Sequence, residues 1–334
     1  MNWQMFGHDW AIALLREHIT QGRPRHAYLL TGPRGVGRRT LALRLAQALN
    51  CPQPVAPGEA CQSCRTCIQI ERMQHPDLAI VQADRIGGVI KVEQVRELQH
   101  ALSLAPYQSR YRVAILLRFE ETNASAANAL LKTLEEPNPQ VVLVLTAESA
   151  ESLLPTIVSR CEILRLRPLS IETVQQGLQT DWGIPADTAE LLAHISGGRI
   201  GYALHLHQEP ELMLLRQALL DKHRELLTDS RVKRFTEADK LCKDKDNLRL
   251  AIETWQSLWR DVYLHATGSA VPISNLDRRQ EVDQLARSLG ADSAYRMVAN
   301  LQQAGRLLDE NVNPRLTVEI LMLDLPRLSS QQLK

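Results

Sequence analysis

A glycine-rich stretch near the start of the chain has the spacing of a phosphate-binding loop without the usual side chains. Gly32 and Gly37 are placed as in the motif G-x-x-x-x-G-K-[ST], with Gly35 between them. The lysine position holds Arg38, and the Ser/Thr position holds Arg39. The glycines still allow backbone N–H groups to cradle a phosphate, but the groups that contact the terminal phosphate and Mg²⁺ are replaced.

The two arginines change both the charge and the geometry of this loop. Arg38 keeps a positive charge but presents a wide planar fork in place of a compact ammonium group. Arg39 cannot ligate a cation, and Thr40 supplies its hydroxyl one residue late, about 100° further around a helix. The loop is therefore interpreted as a degenerate nucleotide site.

A second position bears on hydrolysis, because phosphate-loop ATPases hold Mg²⁺ with an acidic residue that follows an apolar strand. The predicted strand YRVAILL (111–117) ends at Leu117 and is followed by Arg118, while Glu120 and Glu121 come later. Both the Mg²⁺ hydroxyl and the Mg²⁺ acid are thus displaced. We expect a site that does not hydrolyse ATP, and whether ATP or ADP still binds is left open.

Four cysteines close together form a second candidate site. Zn²⁺ is held tetrahedrally by four thiolates in structural sites, and two residues between thiolates let both reach one ion. The alternative is four free thiols that merely cluster. The spacing C-x9-C-x2-C-x2-C favours a closed, structural zinc module at about residues 51–70, with the ligands Cys51, Cys61, Cys64 and Cys67.

Composition limits the class of protein. The 334 residues are 44% hydrophobic and 23% charged, which suits two or three domains with apolar cores. A formal net charge of +1 argues against a chain that binds nucleic acid tightly by itself. No signal peptide is recognised, and no apolar run approaches the ~20 residues that span a bilayer, so we expect a cytoplasmic protein without a membrane partner.

The first half of the chain alternates β-type runs with amphipathic helices, which predicts a parallel βαβ sheet. After Pro168 only helices are expected, first three short ones and then longer ones. One long helix has an apolar stripe with Trp255 and Trp259, which we expect to pack in a core. The fold class is therefore α/β followed by an all-α region. Strands are predicted at 26–32, 77–84, 111–117, 140–148 and 162–169.

Several stretches together resemble the bacterial DNA polymerase III clamp-loader subunits of the AAA+ superfamily. In this family the gamma and tau subunits are motors with intact nucleotide motifs, whereas delta-prime subunits often have degenerate ones, and this chain resembles the second kind. The resemblance covers essentially the whole chain. Its motifs are TGPRGVGRRTLA, the four-cysteine cluster, AANALLKTLEEP (126–137), LVLTAESAESLLPTIVSRC (143–161) and NVNPRLTVEILMLDLP (311–326).

The resemblance implies an architecture and a set of partners. It implies a RecA-like AAA+ domain with an inserted zinc module over 1–167, a three-helix lid over 168–208 and a helical collar over 209–334. The implied partners are the gamma/tau motor and delta subunits, the sliding clamp and primed DNA. The implied activity is to help place the clamp on primed DNA.

The sequence SRC carries the sharpest residue assignment that the resemblance implies. In the family its arginine projects into the ATP site of a neighbouring subunit, and Arg160 matches that position. A guanidinium there stabilises charge on the γ-phosphoryl group. Ser159 and Cys161 are interpreted as structural. Without the family match, an intramolecular salt bridge is the favoured interpretation of Arg160.

Two further family positions differ from those of active members. Thr146 ends the fourth predicted strand, where a polar residue senses the γ-phosphate, and a local hydrogen bond is expected of it instead. Gly201 and Tyr202 stand where an arginine commonly faces the nucleotide, and Arg199 is out of register.

Two alternatives to a non-hydrolysing clamp-loader subunit follow from the same residues. The first is an active motor resembling gamma, in which Arg38 replaces the lysine and Glu120 or Glu121 replaces the acid. The second is a zinc-dependent module that binds nucleic acid alone, which the near-neutral charge does not favour.

Overall fold

The computed structural model of the chain describes residues 3–309 and 312–328. Asn311, the first residue of the last family motif, lies outside the described residues, as do 329–334 of the predicted collar. The chain divides into two compact units. One runs to Ser170 and includes Gly198–Tyr202, and the other holds Ile171–Gly197 and the residues from Ala203 onward. The predicted division into sheet domain, lid and collar stays a prediction.

The first unit is built on a five-stranded parallel sheet with the order β2-β3-β4-β1-β5. Of its three inner strands, β1 and β4 are buried along their whole length, as their unbroken apolar sequences require. The parallel sheet and all five strands are confirmed, although β5 ends before Pro168 and is shorter than predicted. The strands are β1 (Ala27–Thr31), β2 (Leu78–Val81), β3 (Arg112–Leu116), β4 (Val141–Ala147) and β5 (Glu162–Arg165).

Helices cover both faces of this sheet, and alternate residues of each strand point to opposite cores. Leu29 and Leu143 belong to one core, whereas Tyr28 and Val144 belong to the other. The helices of this unit are α1 (Asp9–Thr20), α2 (Arg38–Asn50), α3 (Arg65–Glu71), α4 (Val92–Ser103), α5 (Ala124–Glu135) and α6 (Pro155–Val158).

The second unit is helical throughout its described residues, as predicted. Its helix α13 is interrupted at Gly290, where φ is 71° and ψ is 175°. None of the described helices combines the length and apolar character that a membrane crossing requires. The helices are α7 (Ile171–Thr180), α8 (Ala186–Ser196), α9 (Ile200–Gln208, which begins in the first unit), α10 (Pro210–Thr228), α11 (Arg231–Leu241), α12 (Lys245–Ala266), α13 (Arg279–Asp309) and α14 (Pro314–Asp324).

The two tryptophans of α12 lie fully buried in the core of this unit, which confirms their predicted packing role. Trp259 Nε1 donates a hydrogen bond of 2.9 Å to His223 Nε2, and Trp255 Nε1 donates one of 2.9 Å to the Leu219 carbonyl. Burial lowers the pKa of His223 to about 3, so this histidine is neutral and accepts the indole proton.

Candidate functional site

The glycine loop connects β1 to α2 and has the backbone that its sequence requires. Gly32, Gly35 and Gly37 have φ values of 143°, 80° and 112°, which residues with a Cβ rarely adopt. Another segment of the chain also packs closely against Gly35. The Gly201 amide donates to its carbonyl at 2.9 Å, and a Cβ at Gly35 would lie 2.7 Å from the Tyr202 nitrogen. The start of α9 therefore packs directly on the loop.

The side chains at the positions of the usual phosphate and Mg²⁺ ligands differ in burial and in their contacts. Arg38 is only 8% exposed, and its Nη1 finds no hydrogen-bond partner among the described residues. Burial lowers the pKa of Arg38, and the negative charge of Glu120 opposes this shift. Arg39 is exposed and donates from Nη2 to the Met73 sulfur at 3.3 Å, and Thr40 is exposed as well. No hydroxyl stands at the motif's Ser/Thr position for Mg²⁺.

At the end of β3, an arginine occupies the place where an acid is expected. Arg118 has a left-handed backbone with φ 53°, and its amide donates to Thr146 Oγ1 at 2.9 Å, which is the local hydrogen bond expected of Thr146. The Arg118 Nε donates to both oxygens of Glu121 at 3.0 and 2.9 Å. Glu121 also accepts from the Gly87 amide at 2.8 Å. The second acid is therefore held by protein groups.

Glu120 is the remaining acid near the loop, on the 3₁₀ turn Phe119–Glu121. Both of its carboxylate oxygens are buried without a hydrogen-bond partner among the described residues. Burial raises the pKa of Glu120, and the charge of Arg38 lowers it by a smaller amount. Both glutamates lie beyond the end of β3, as predicted.

Arg160 follows α6 on the surface, at the start of the turn into β5. Its Nη2 lies 2.7 Å from Glu135 Oε1 on α5, and its Nη1 donates to the Thr156 carbonyl at 2.7 Å. Roughly a third of the arginine side chain and half of the glutamate side chain are exposed, at 34% and 50%. Ser159 Oγ bonds to the Thr156 carbonyl at 3.2 Å, and Cys161 packs against the sheet core, where burial raises its pKa to about 12.

The four predicted metal ligands converge in one place, between the end of α2 and the start of α3. Cys51 follows the last residue of α2, Cys64 caps α3, and Cys67 lies within α3. Gln47 on α2 ties the two helices together by donating to the Cys67 carbonyl at 2.9 Å. The ligand atoms of all four cysteines, the fourth being Cys61, lie within 4.8 Å of one another.

The donor set fits a tetrahedral Zn²⁺ ion. Zinc–sulfur bonds of about 2.3 Å place tetrahedral sulfurs about 3.8 Å apart, and the Cys51 and Cys61 sulfurs are separated by 3.5 Å. All four cysteines are free thiols. Burial raises the pKa of Cys61, but amide hydrogen bonds from Cys64 and Ser63 outweigh it and bring the pKa to about 6. The four cysteines can therefore hold a metal ion.

Three contacts at these sites were not predicted from the sequence. The pair Arg118–Glu121 has the i, i+3 spacing that could have revealed it. Arg160 forms the intramolecular salt bridge that is the alternative interpretation from its sequence, but its partner Glu135 is not predicted. This pair and the packing of Tyr202 on the glycine loop join residues far apart in the chain, so no local spacing indicates them.

The order of the parallel sheet, with a glycine loop between β1 and α2 and a helical region after the sheet, defines the chain as a RecA-like protein of the AAA+ class. A family model described as DNA polymerase III, delta subunit, matches residues 7–170. The chain is 31% identical to the DNA polymerase III subunit delta-prime of Bacillus subtilis over 313 residues, which are 93% of this chain and 93% of that protein. It belongs to the delta-prime family of clamp-loader subunits of bacterial DNA polymerase III.

Two further proteins are similar to the chain. The DNA polymerase III subunit delta-prime of Pseudomonas aeruginosa is 37% identical over 205 residues, which are 60% of this chain and 61% of that protein. The crystal structure of a DNA polymerase III gamma subunit-related protein from Thermotoga maritima superposes with a TM-score of 0.49 and 18% identity, covering 93% of this chain and 97% of that one.

Proposed function

We propose that this clamp-loader subunit does not hydrolyse ATP itself and that it supplies Arg160 to the ATP site of a neighbouring motor subunit. The observation that carries the first half is the end of β3. A carboxylate is needed there to hold Mg²⁺ through the reaction, and Arg118 brings a positive charge to the same place. Glu121 accepts hydrogen bonds from this guanidinium through both of its carboxylate oxygens. It could not ligate Mg²⁺ without breaking these hydrogen bonds.

The glycine loop supports the same conclusion. Arg39 and Thr40 offer no hydroxyl at the Mg²⁺ position, and the start of α9 lies against Gly35. A loop whose backbone is packed on another segment loses part of the open cradle that a phosphate needs. Bound ATP or ADP is therefore not required for the function proposed here.

The surface position of Arg160 supports a role in trans. Its ion pair with Glu135 is exposed, and exposed ion pairs contribute about 0–1 kcal/mol. A phosphate offers a stronger, bidentate partner for the same guanidinium. Glu135 would thus hold the side chain extended until a neighbouring subunit brings its nucleotide close.

The four cysteines would hold a structural zinc ion. Zinc would cross-link α2, the loop after it and α3 at the C-terminal end of α2, about 20 Å along the helix from the glycine loop. No chemical step is assigned to the metal, because its four ligands come from the protein and leave no open position.

The proposed partners are the gamma/tau motor and delta subunits, with the sliding clamp and primed DNA bound by the complex as a whole. A motor subunit is the second candidate function, and one observation favours it. The carboxylate oxygens of Glu120 are buried and lack a hydrogen-bond partner among the described residues, and burial raises the pKa of this carboxyl group while the charge of Arg38 opposes that rise. An acid placed in this way could serve a neighbouring phosphate site if Arg38 replaced the lysine.

ATP hydrolysis by the separate components tests the proposal. We expect no turnover by the isolated chain, a low rate for motor and delta subunits without it, and a higher rate when it is added with clamp and primed DNA. Turnover by the isolated chain that Glu120→Gln abolishes would establish the motor function instead. An unchanged motor rate on adding the chain would contradict the activating role.

A further inference from the structure

The strand β5 forms one edge of the sheet and leaves a row of backbone groups unpaired. Among the described residues it pairs only with β1, and the Leu166 amide donates to the Thr31 carbonyl at 2.7 Å at the end of this pairing. Amides alternate in direction along a strand, so those of Ile163, Arg165 and Arg167 point away from β1. A free edge of this kind is a template for another strand.

A groove runs along this edge and is lined by the same alternate residues. It has a volume of about 610 Å³. Trp10 forms part of its wall and is 51% exposed, which is unusual for so large an apolar side chain. The remaining wall comes from Ile163, Arg165, Arg167 and the residues just after them. The groove therefore offers backbone hydrogen bonds, an aromatic surface and two cations.

The charges of this groove favour an acidic occupant. Arg165 and Arg167 are both exposed, and neither forms an ion pair with a carboxylate of the described residues. Glu162, at the start of the strand, is instead close to Arg25, at 3.7 Å. The two arginines project on the same side of the strand because they are two residues apart.

We propose that the β5 edge binds an extended acidic segment of a partner protein, which adds to the sheet as a sixth strand. Main-chain hydrogen bonds to Ile163 and Arg165 hold the segment, and alternate carboxylates reach the two arginines. Trp10 covers an apolar residue between them. Pro168 ends the edge, so the bound segment is short.

A second copy of this chain fits the edge less well. Pairing two β5 edges about a twofold axis would bring the arginines of one copy next to those of the other. Like charges opposite each other destabilise strand pairs. An acidic partner turns the same charges into attractions.

The test uses the full chain and a defined probe, an acetylated and amidated heptapeptide of alternating valine and Asp/Glu. Hydrogen–deuterium exchange over 162–167 is followed with and without peptide, and affinity is measured by isothermal titration calorimetry. We expect slower exchange over 162–167 on peptide addition. The double variant Arg165→Glu/Arg167→Glu removes two exposed ion pairs, each worth up to about fivefold in affinity, and adds repulsion between like charges, so binding should weaken about tenfold. Arg72→Glu, which changes another exposed arginine of the unit, should leave binding unchanged.

Two control peptides separate strand addition from simple charge attraction. One carries lysine in place of Asp/Glu, and the other has all of its internal amides N-methylated, which removes the hydrogen-bond donors from both of its edges. Neither should slow exchange over 162–167. Equal protection by the N-methylated peptide, or no protection by the acidic peptide, would overturn the proposal. Self-association of the chain that Arg165→Glu abolishes would assign the edge to a second copy and overturn it as well.

Discussion

The glycine loop and the cysteine cluster lie in the same unit, and both were predicted from spacing, yet they differ in what their side chains do. The loop keeps its three glycines and their left-handed backbone, while Arg38 is buried and Gly35 is covered by the start of α9. The cluster keeps every donor atom, with four free thiols within 4.8 Å of one another. One site has retained a shape and the other a complete set of ligands.

The difference shows that a motif can keep its backbone conformation after the side chains that perform its chemistry have been replaced. Glycines in the loop allow another protein segment, as well as a phosphate, to approach the backbone closely. Tight packing of α9 on the loop is therefore enough to explain why these positions are glycine. Packing does not explain the four thiols in the same way. Four sulfur atoms that face one point are arranged to bind a shared metal ion. The following predictions test this comparison.

The largest effect is expected at the cysteine cluster. Cys64→Ser should remove one of four zinc ligands and cause loss of the metal together with a large fall in stability, since structural zinc contributes on the order of 10 kcal/mol of apparent binding free energy. Zinc content by native mass spectrometry and the melting temperature measure this. Cys242→Ser is the matched control, because Cys242 is a thiol of the other unit that packs beside its core. Wild-type protein that is purified with zinc but melts no higher than the Cys64→Ser variant would contradict the prediction, as would a variant that keeps its zinc.

A smaller effect is expected at the glycine loop. Gly35→Ala should lower the free energy of unfolding because its Cβ meets the backbone of Tyr202 at 2.7 Å and its φ is unfavourable. Gly22→Ala is the control, because Gly22 also has a positive φ, of 68°, but no atom lies within 4 Å of a Cβ placed there. The difference between the two variants in urea unfolding should be about 1–3 kcal/mol, the usual cost of overpacking. Equal losses would mean that the start of α9 does not press on the loop.

The buried acid near the loop gives a pH-dependent effect. The folded-state pKa of Glu120 is raised above 4.5, so the folded protein holds this proton more tightly than the unfolded chain does. Stability from this group is present below pH 4.5 and is lost as the pH rises through the raised value. Glu120→Gln should therefore gain melting temperature relative to wild type at about pH 7.5 but not at about pH 4. A gain confined to the lower pH would show the opposite shift.

The smallest effect on stability is expected at the surface pair of Arg160 and Glu135. Glu135→Gln should change the free energy of unfolding by no more than about 1 kcal/mol, since both side chains are substantially exposed. Its effect on the complex should be limited to a slower approach of Arg160 to the neighbouring site. A loss of several kcal/mol in thermal unfolding would show that the pair is a structural salt bridge first.

Much of the fold could be predicted because its signals are local. The strands are short apolar runs, and Trp255 and Trp259 fall on one stripe of a helix, so both follow from periodicity. The end of β5 was placed too far along because an apolar residue, Leu166, continues the pattern, whereas Pro168 stops the pairing. The limits of the lid and collar stay predictions, since they depend on contacts between distant helices.

The site was predictable where its parts are close in sequence. The four cysteines and the arginines of the glycine loop lie within short stretches. The residues that contact Gly35 and Arg160 in the folded chain lie far away in sequence. Tyr202 against Gly35 and Glu135 beside Arg160 depend on the folded chain, and no pattern within one segment encodes them.

The measurement that tests the central claim most directly is single-turnover ATP hydrolysis by the reconstituted clamp loader with clamp and primed DNA, comparing wild type with Arg160→Ala and Arg160→Lys. We expect both variants to assemble normally and to slow hydrolysis at the adjoining motor site by about 10³-fold or more, because an ammonium group does not reproduce the guanidinium fork. Arg72→Ala should leave the rate unchanged. Wild-type hydrolysis by the Arg160→Ala complex would contradict the trans role and leave the chain as a scaffold.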